Sequence, residues 1–157
     1  MPGPSVRIVT TPNAGTIAGI AELEASAFGR GGLNEWHLPV IARHGRLYAL
    51  EASGAVVGAA SIIRDWRSDK AYLIDLVIDE KARGRGWGRL LMARVIEDLK
   101  GERVRQLELT VAPGNTAVVE LYTNLGFVET GRYPNEYGRG EDRLAMTLNV
   151  THGTRGT

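Results

Sequence analysis

The sequence predicts a single-domain α/β fold, with a mixed central sheet and flanking helices, and three observations predict it. Residues 70–78 form a strand-like run that is apolar on both sides; a glycine-rich turn and an amphipathic helical stretch follow it directly; and a second strand-like run at 106–111 completes a crossover. A run apolar on both faces is favourable only in a strand covered from two sides. A strand–helix–strand crossover is expected to be parallel and right-handed.

The elements follow in order. Residues 6–10 alternate like a short strand, and Asn13 is placed to cap a helix over 14–27 that turns Ile17, Ile20, Ala21 and Leu23 inward. Glycines at 29, 31 and 32 break that helix, and a shorter one is expected over 34–43. Residues 46–51 and 55–64 read as a hairpin around Ser53-Gly54, followed by a turn at 65–69. In the 70–78 strand, Tyr72, Ile74, Leu76 and Ile78 share one side, and Leu73, Asp75 and Val77 share the other. After the glycine turn at 83–88, a helix to about Lys100 buries Leu91, Met92, Val95, Ile96 and Leu99. A helix over 116–125 ends at Gly126, its left-handed stop, and strands at 127–133 and 143–148 complete the chain. The ordered domain spans 6–150, with 1–5 and 151–157 expected to be flexible ends.

Composition narrows the chemistry. With 157 residues, 43% of them hydrophobic and 24% charged, the chain suits one soluble globular core. A formal net charge of +1 provides no global field for nucleic acid or an anionic membrane, so any anion site is local. The absence of cysteine removes disulfides, thiolate metal sites and a thiol nucleophile. His37, His44 and His152 have no ligand-like spacing, so no metal is expected. No window reaches the ~20 apolar residues that span a bilayer, and no leader pattern opens the chain; the expected location is cytoplasmic, with no membrane partner.

The chemistry concentrates in Arg83-Gly-Arg-Gly-Trp-Gly88. A glycine turn between a buried strand and a helix brings unpaired amides and the positive end of a helix dipole together. Gly84, Gly86 and Gly88 let a phosphate approach the backbone, and Arg83, Arg85 and Arg89 add fork-shaped donors. A Walker loop would need Gly-Lys-Ser/Thr, whereas Gly88 is followed by Arg89-Leu90; the dinucleotide pattern starting at Gly84 would need glycine at 89. The motif instead resembles the coenzyme A signature of the GNAT acetyltransferases, Gln/Arg-x-x-Gly-x-Gly/Ala. Asn115, Leu121-Tyr122 and Leu125-Gly126-Phe127 resemble the second block of that family, so the likeness covers residues 70–133.

The resemblance implies a splayed pair of parallel strands, near 76–78 and 109–111, that receives the pantetheine arm of acetyl-CoA. It assigns cofactor contacts to Leu76, Val77, Ile78, to residues 83–89 including Trp87, and to Asn115 and Tyr122. Tyr122 follows the expected cap Asn115 by about two helical turns and so shares its face. An amine that attacks a thioester must lose a proton, the oxyanion needs a donor, and the thiolate must be protonated. A strand amide near Val77 is the candidate oxyanion donor. Tyr122, a phenol of pKa about 10 against about 8.5 for a thiol, is the candidate acid. Asp75, the carboxylate in an apolar strand, and then Glu108 are the candidate bases, each acting directly or through water. The alternative role for Asp75 is structural, tying down a neighbouring backbone or basic group.

Phe28, Trp36, His37, Trp66 and Tyr137 fall where GNAT proteins wall the acceptor. The segment 133–142 resembles the last hairpin of ribosomal-protein alanine N-acetyltransferases, but Thr110 stands where those enzymes carry a glutamate, and Glu108 lies about 7 Å away along the strand. The expected acceptor is therefore a primary amine, of a small molecule or of a peptide N-terminus; a homodimer is left open. Two alternatives remain at this point, a non-catalytic acyl-CoA-binding module and a nucleic-acid-binding domain using the arginine-rich loop. Near-neutral charge and the lack of a basic stripe with stacking aromatics around the loop weigh against the second.

Overall fold

The structure, a computed structural model, describes residues 3–150. Met1, Pro2 and the tail 151–157, which includes His152, lie outside the described residues. Seven strands and four α-helices follow one another as β1 (Ser5–Ile8), α1 (Ala14–Phe28), α2 (Leu38–His44), β2 (Arg46–Ala52), β3 (Ala55–Arg64), β4 (Lys70–Ile78), α3 (Trp87–Lys100), β5 (Gln106–Val111), α4 (Thr116–Asn124), β6 (Val128–Tyr133) and β7 (Arg143–Asn149). Their hydrogen-bonded order is β1-β2-β3-β4-β5-β7-β6, a mixed sheet. The described residues divide into two compact units, 3–64 with 73–98 and 65–72 with 99–150. None of the described helices is long and apolar enough to cross a membrane.

In the first unit, β1, β2 and β3 form an antiparallel meander. The Asn13 side chain accepts the Thr16 amide at 2.9 Å, the N-cap that starts α1. Ile17, Ile20 and Leu23 of α1, Leu38 and Ile41 of α2, Leu47 of β2, Ala59 of β3 and Val77 of β4 make one buried cluster. Removing a side chain such as Ile20 from water contributes about 1.5–3 kcal/mol. Helix α3 is tied to the meander by polar contacts: Tyr48 donates to Asp98 at 2.9 Å, Arg94 pairs with Asp98 at 3.0 Å, and Arg94 also donates to the Val6 carbonyl at 3.0 Å.

Helix α2 begins four residues later than the sequence predicts. Asn34 explains the delay: its side chain accepts the Trp36 amide at 2.8 Å and its carbonyl accepts the amides of His37 and Leu38, so residues 34–37 form a turn instead of helix. Pro39 then occupies the first helical turn, where its missing N–H costs nothing.

In the second unit, β4 and β5 are parallel over three residue pairs, Lys70↔Gln106 to Tyr72↔Glu108. The antiparallel pairing of β5 with β7 runs the full length of β5, and β7 pairs with β6 on its other side. Alternation along β5 buries Leu107, Leu109 and Val111, and leaves Gln106, Glu108 and Thr110 together on the less covered face.

Candidate active site

The first unit contains the glycine loop. A short 3-10 turn at Glu80–Ala82, capped by the Asp79 side chain, leads from β4 into Arg83. Arg83 Nε donates to the Ile78 carbonyl at 3.2 Å and holds the loop against the end of its strand. Gly84 and Gly86 have φ of 81° and 78°, where side chains are strained, and a Cβ at either would meet no atom within 4 Å. The glycines thus serve the turn's conformation, and the space in front of them is open. The first hydrogen bond of α3 joins the Leu90 amide to the Gly86 carbonyl at 3.0 Å, so the amides of Trp87, Gly88 and Arg89 precede the helical ladder. Arg83, Arg85 and Arg89 are exposed, and the Arg85 guanidinium stands 5.1 Å from the centre of the Trp87 ring. Backbone donors, a helix dipole and three guanidinium groups together fit a diphosphate.

Asp75, on the opposite side of β4 from Tyr72, belongs to a buried polar cluster with Glu24 of α1 and Ser61 of β3. Burial pushes the Asp75 carboxyl above its ordinary range, while contact with Glu24 and with the Ser61 hydroxyl draws it back. Glu24 is 0% exposed, and its Oε1 accepts the Leu33 amide at 2.9 Å. Its carboxyl is pushed up to about 9, first by burial and then by the hydrogen bond and charge of Asp75. The groups that bear on Asp75 are thus a carboxyl and a hydroxyl, not the backbone or basic group of the sequence expectation.

The expected acceptor residues of this unit sit around the connection from α1 to α2. Phe28 ends α1, Trp36 is 80% exposed, and His37 Nδ1 accepts the Asn34 amide at 3.1 Å. In the same unit, Val77 is buried, and Leu76 and Ile78 are half-buried along the end of β4.

The second unit carries the other candidates. Asn115 caps α4 by accepting the Val118 amide at 3.3 Å, as expected. Tyr122, 6% exposed, meets Phe127 edge to face with ring centres 5.4 Å apart. Gly126 follows α4 with φ of 104°. Glu108 accepts from the Tyr133 hydroxyl at 3.3 Å, and burial and Glu108 both raise the Tyr133 pKa. Glu108 and Tyr133 also line an open groove of about 390 Å³ with Lys70, Gln106, Thr130 and Thr147. Tyr137 is stacked under the Arg143 guanidinium at 4.8 Å, whereas the Trp66 side chain is fully exposed.

Four polar side chains were missed by the sequence reading: Glu24, Ser61, Tyr72 and Tyr133. Tyr72 shares a 2.7 Å hydrogen bond with Thr110, and burial, its largest influence, pushes its phenol up to about 12. Glu24 had a legible signal. It lies four residues after Ile20 and seven after Ile17, on the inward face of an amphipathic helix where a carboxylate is out of place. No group of three or more carboxylate or histidine side chains able to hold a metal is present among the described residues.

Comparison with known proteins agrees with this architecture. A [Ribosomal protein bS18]-alanine N-acetyltransferase of Salmonella typhimurium is 34% identical over 87 residues, 53% of this chain and 58% of that protein's length. An L-methionine sulfoximine/L-methionine sulfone acetyltransferase of Pseudomonas paraeruginosa is 30% identical over 111 residues, 66% of this chain and 64% of the relative. The chain thus matches less than two thirds of the length of either relative. Among solved structures, a GNAT family acetyltransferase from Elizabethkingia anophelis with acetyl-CoA bound shares the fold at a TM-score of 0.75, with 17% identity over 94% of this chain and 99% of the other. A model of the Acetyltransferase (GNAT) family matches residues 13–127, which take in α1, the glycine loop, Asn115 and Tyr122, and the chain belongs to that family.

Proposed function

We propose that the protein is an N-acetyltransferase that moves the acetyl group of acetyl-CoA directly to a primary amine, of a small molecule such as an amino acid or of a peptide N-terminus. The observation that carries this reading is the open glycine loop at the start of α3, with its positive-φ glycines, unladdered amides and three arginines. The family membership supports it, as does the acetyl-CoA bound by the Elizabethkingia neighbour. The two named relatives acetylate, by their names, a protein alanine and a modified amino acid, which supports an amine acceptor without separating the two classes.

Residues 83–89 would hold the diphosphate, with Asn115 and the backbone of 76–78 as further contacts. Acetyl-CoA supplies the thioester and the thiolate leaving group; the chain supplies donors and proton carriers. A strand amide near Val77 is the proposed donor to the oxyanion, a fixed dipole that needs no reorganisation. Tyr122 is the proposed acid toward the thiolate. Asp75 is the proposed base for the acceptor ammonium, its carboxyl raised above its ordinary value by burial, which makes it a stronger base; Glu108 is the second candidate. Phe28, Trp36 and His37, with Trp66 and Tyr137, are the proposed acceptor contacts.

The test is thiol release from acetyl-CoA across a panel of amino acids, polyamines, aminoglycosides and short peptides, beside calorimetry of acetyl-CoA binding. Binding together with thiol release that needs an amine supports the enzyme. Binding without release for any amine supports a non-catalytic acyl-CoA module, and absence of binding ends both readings.

A further inference from the structure

Three buried side-chain oxygens of the first unit, Glu24 Oε2, Asp75 Oδ1 and Ser61 Oγ, have no hydrogen-bond partner, and Glu24 and Ser61 both bear on Asp75. A buried polar atom left unsatisfied is destabilising, so orphans of this kind call for an explanation. Two of the three belong to neighbouring carboxyl groups. If both were ionised, neither could donate, and two like charges would share a site from which water is largely excluded. A single proton between them removes both problems: Glu24 Oε2–H donates to Asp75 Oδ1, and one bond satisfies two orphans.

The remaining oxygen of Glu24 is already committed. Glu24 Oε1 accepts the Leu33 amide at 2.9 Å, which pins the connection between α1 and α2 back onto α1. The approach is close, since a Cβ at Gly32 would stand 2.7 Å from the Glu24 carbonyl oxygen. The pinned segment begins immediately after Phe28 and leads into Trp36 and His37. One side chain, buried at 0% exposure, therefore bears on the proposed base and holds the loop that leads to the proposed acceptor residues.

We propose that Glu24 is a positioning residue that carries a proton shared with Asp75, orienting that carboxylate with one oxygen and holding the acceptor-side loop with the other. No covalent step is involved; the proton stays within the pair. Among the described residues, the groups that bear on the Glu24 carboxyl are Asp75 of β4 and the Leu33 amide, with the Ser61 hydroxyl of β3 bearing on Asp75. Only the kinetic consequence rests on the acetyltransferase reading; the proton and the loop contact stand without it.

Infrared difference spectroscopy of the full chain at neutral pH is expected to show the carbonyl band of a buried protonated carboxylic acid, and Glu24→Gln is expected to abolish it. The glutamine retains an oxygen for Leu33 and an N–H for Asp75, so Leu33 amide exchange and the KM for the acceptor stay near wild type. Glu24→Met keeps the bulk but removes both contacts; Leu33 exchange then accelerates and the acceptor KM rises about tenfold, the equivalent of one buried hydrogen bond, with acetyl-CoA affinity unchanged. Should Glu24→Met fail to fold, the comparison of Glu24→Gln with Glu24→Asp, which is one methylene short, carries the same readouts. A neutral-pH spectrum without that band, or a folded Glu24→Met with wild-type Leu33 protection, overturns the proposal. If no amine is acetylated, the infrared and exchange results still decide it, so failure of the enzyme reading is distinguishable.

Discussion

The Tyr72 hydroxyl lies 2.7 Å from the Thr110 hydroxyl and links β4 to β5 through side chains as well as backbone. Burial is the main reason its phenol resists ionisation up to about 12, and Thr110 opposes that shift by hydrogen bonding. Thr110→Val is close in shape but leaves a half-buried phenol without its partner, at a cost of about 1–2 kcal/mol. Tyr72→Phe removes the other end. Denaturant titration of both single variants and the double variant is expected to give a coupling of about 1 kcal/mol; strictly additive losses would mean that the contact contributes nothing to stability.

At the glycine loop, Gly84 and Gly86 sit at φ near 80°, with open space where a side chain would project. Alanine at either meets no steric wall, yet its backbone costs about 1–2 kcal/mol in the left-handed region. The predicted result for Gly86→Ala is a modest fall in thermal stability with a larger loss of acetyl-CoA affinity, because relaxing the strain moves the amides of 87–89. Calorimetry separates the two effects: unchanged affinity with reduced stability would remove the loop from the binding site.

Tyr122 is buried, packed edge to face on Phe127, and belongs to a helix whose start is fixed by the Asn115 cap. Tyr122→Phe preserves that packing and deletes only the hydroxyl. A general acid contributes at least on the order of 10² in rate, so kcat is predicted to fall by about that factor while the KM for acetyl-CoA changes little. An equal rate for the two proteins assigns Tyr122 to the core alone.

What the sequence disclosed and what it hid follow from the range of the interactions. Strands β4 and β5 were legible to the residue because two-residue alternation and flanking turns are local signals, as were the Asn13 and Asn115 caps. The glycine loop was legible because its chemistry lies within one contiguous run. The start of α2 was misplaced because Asn34 spends its side chain and carbonyl on a turn that competes with helix, a choice its helical neighbours do not reveal. Asp75 stands out in the sequence as an isolated carboxylate, but its neighbours Glu24 and Ser61 come from α1 and β3, and pairing across such separations depends on packing. Tyr72 and Thr110 likewise meet only through the pairing of two strands 38 residues apart.

The Glu24–Asp75 pair also sets a pH dependence whose sign can be worked out. In the unfolded chain Glu24 has its ordinary value of 4.5, and in the folded protein it is raised to about 9. Between those values the folded state holds a proton that the unfolded state has released, so stability falls as pH rises. The contribution is fully present below about 4.5, declines across the window at up to about 1.4 kcal/mol per pH unit, and levels off above about 9. Because the two carboxyls share the proton, the decline belongs to the pair and is spread over it. Glu24→Gln has no proton to lose, and its stability is predicted to be flatter over the same range. Urea midpoints measured from pH 5 to pH 9 check this directly: wild type and Glu24→Gln should diverge with rising pH, in favour of the glutamine, and parallel curves would place the proton elsewhere.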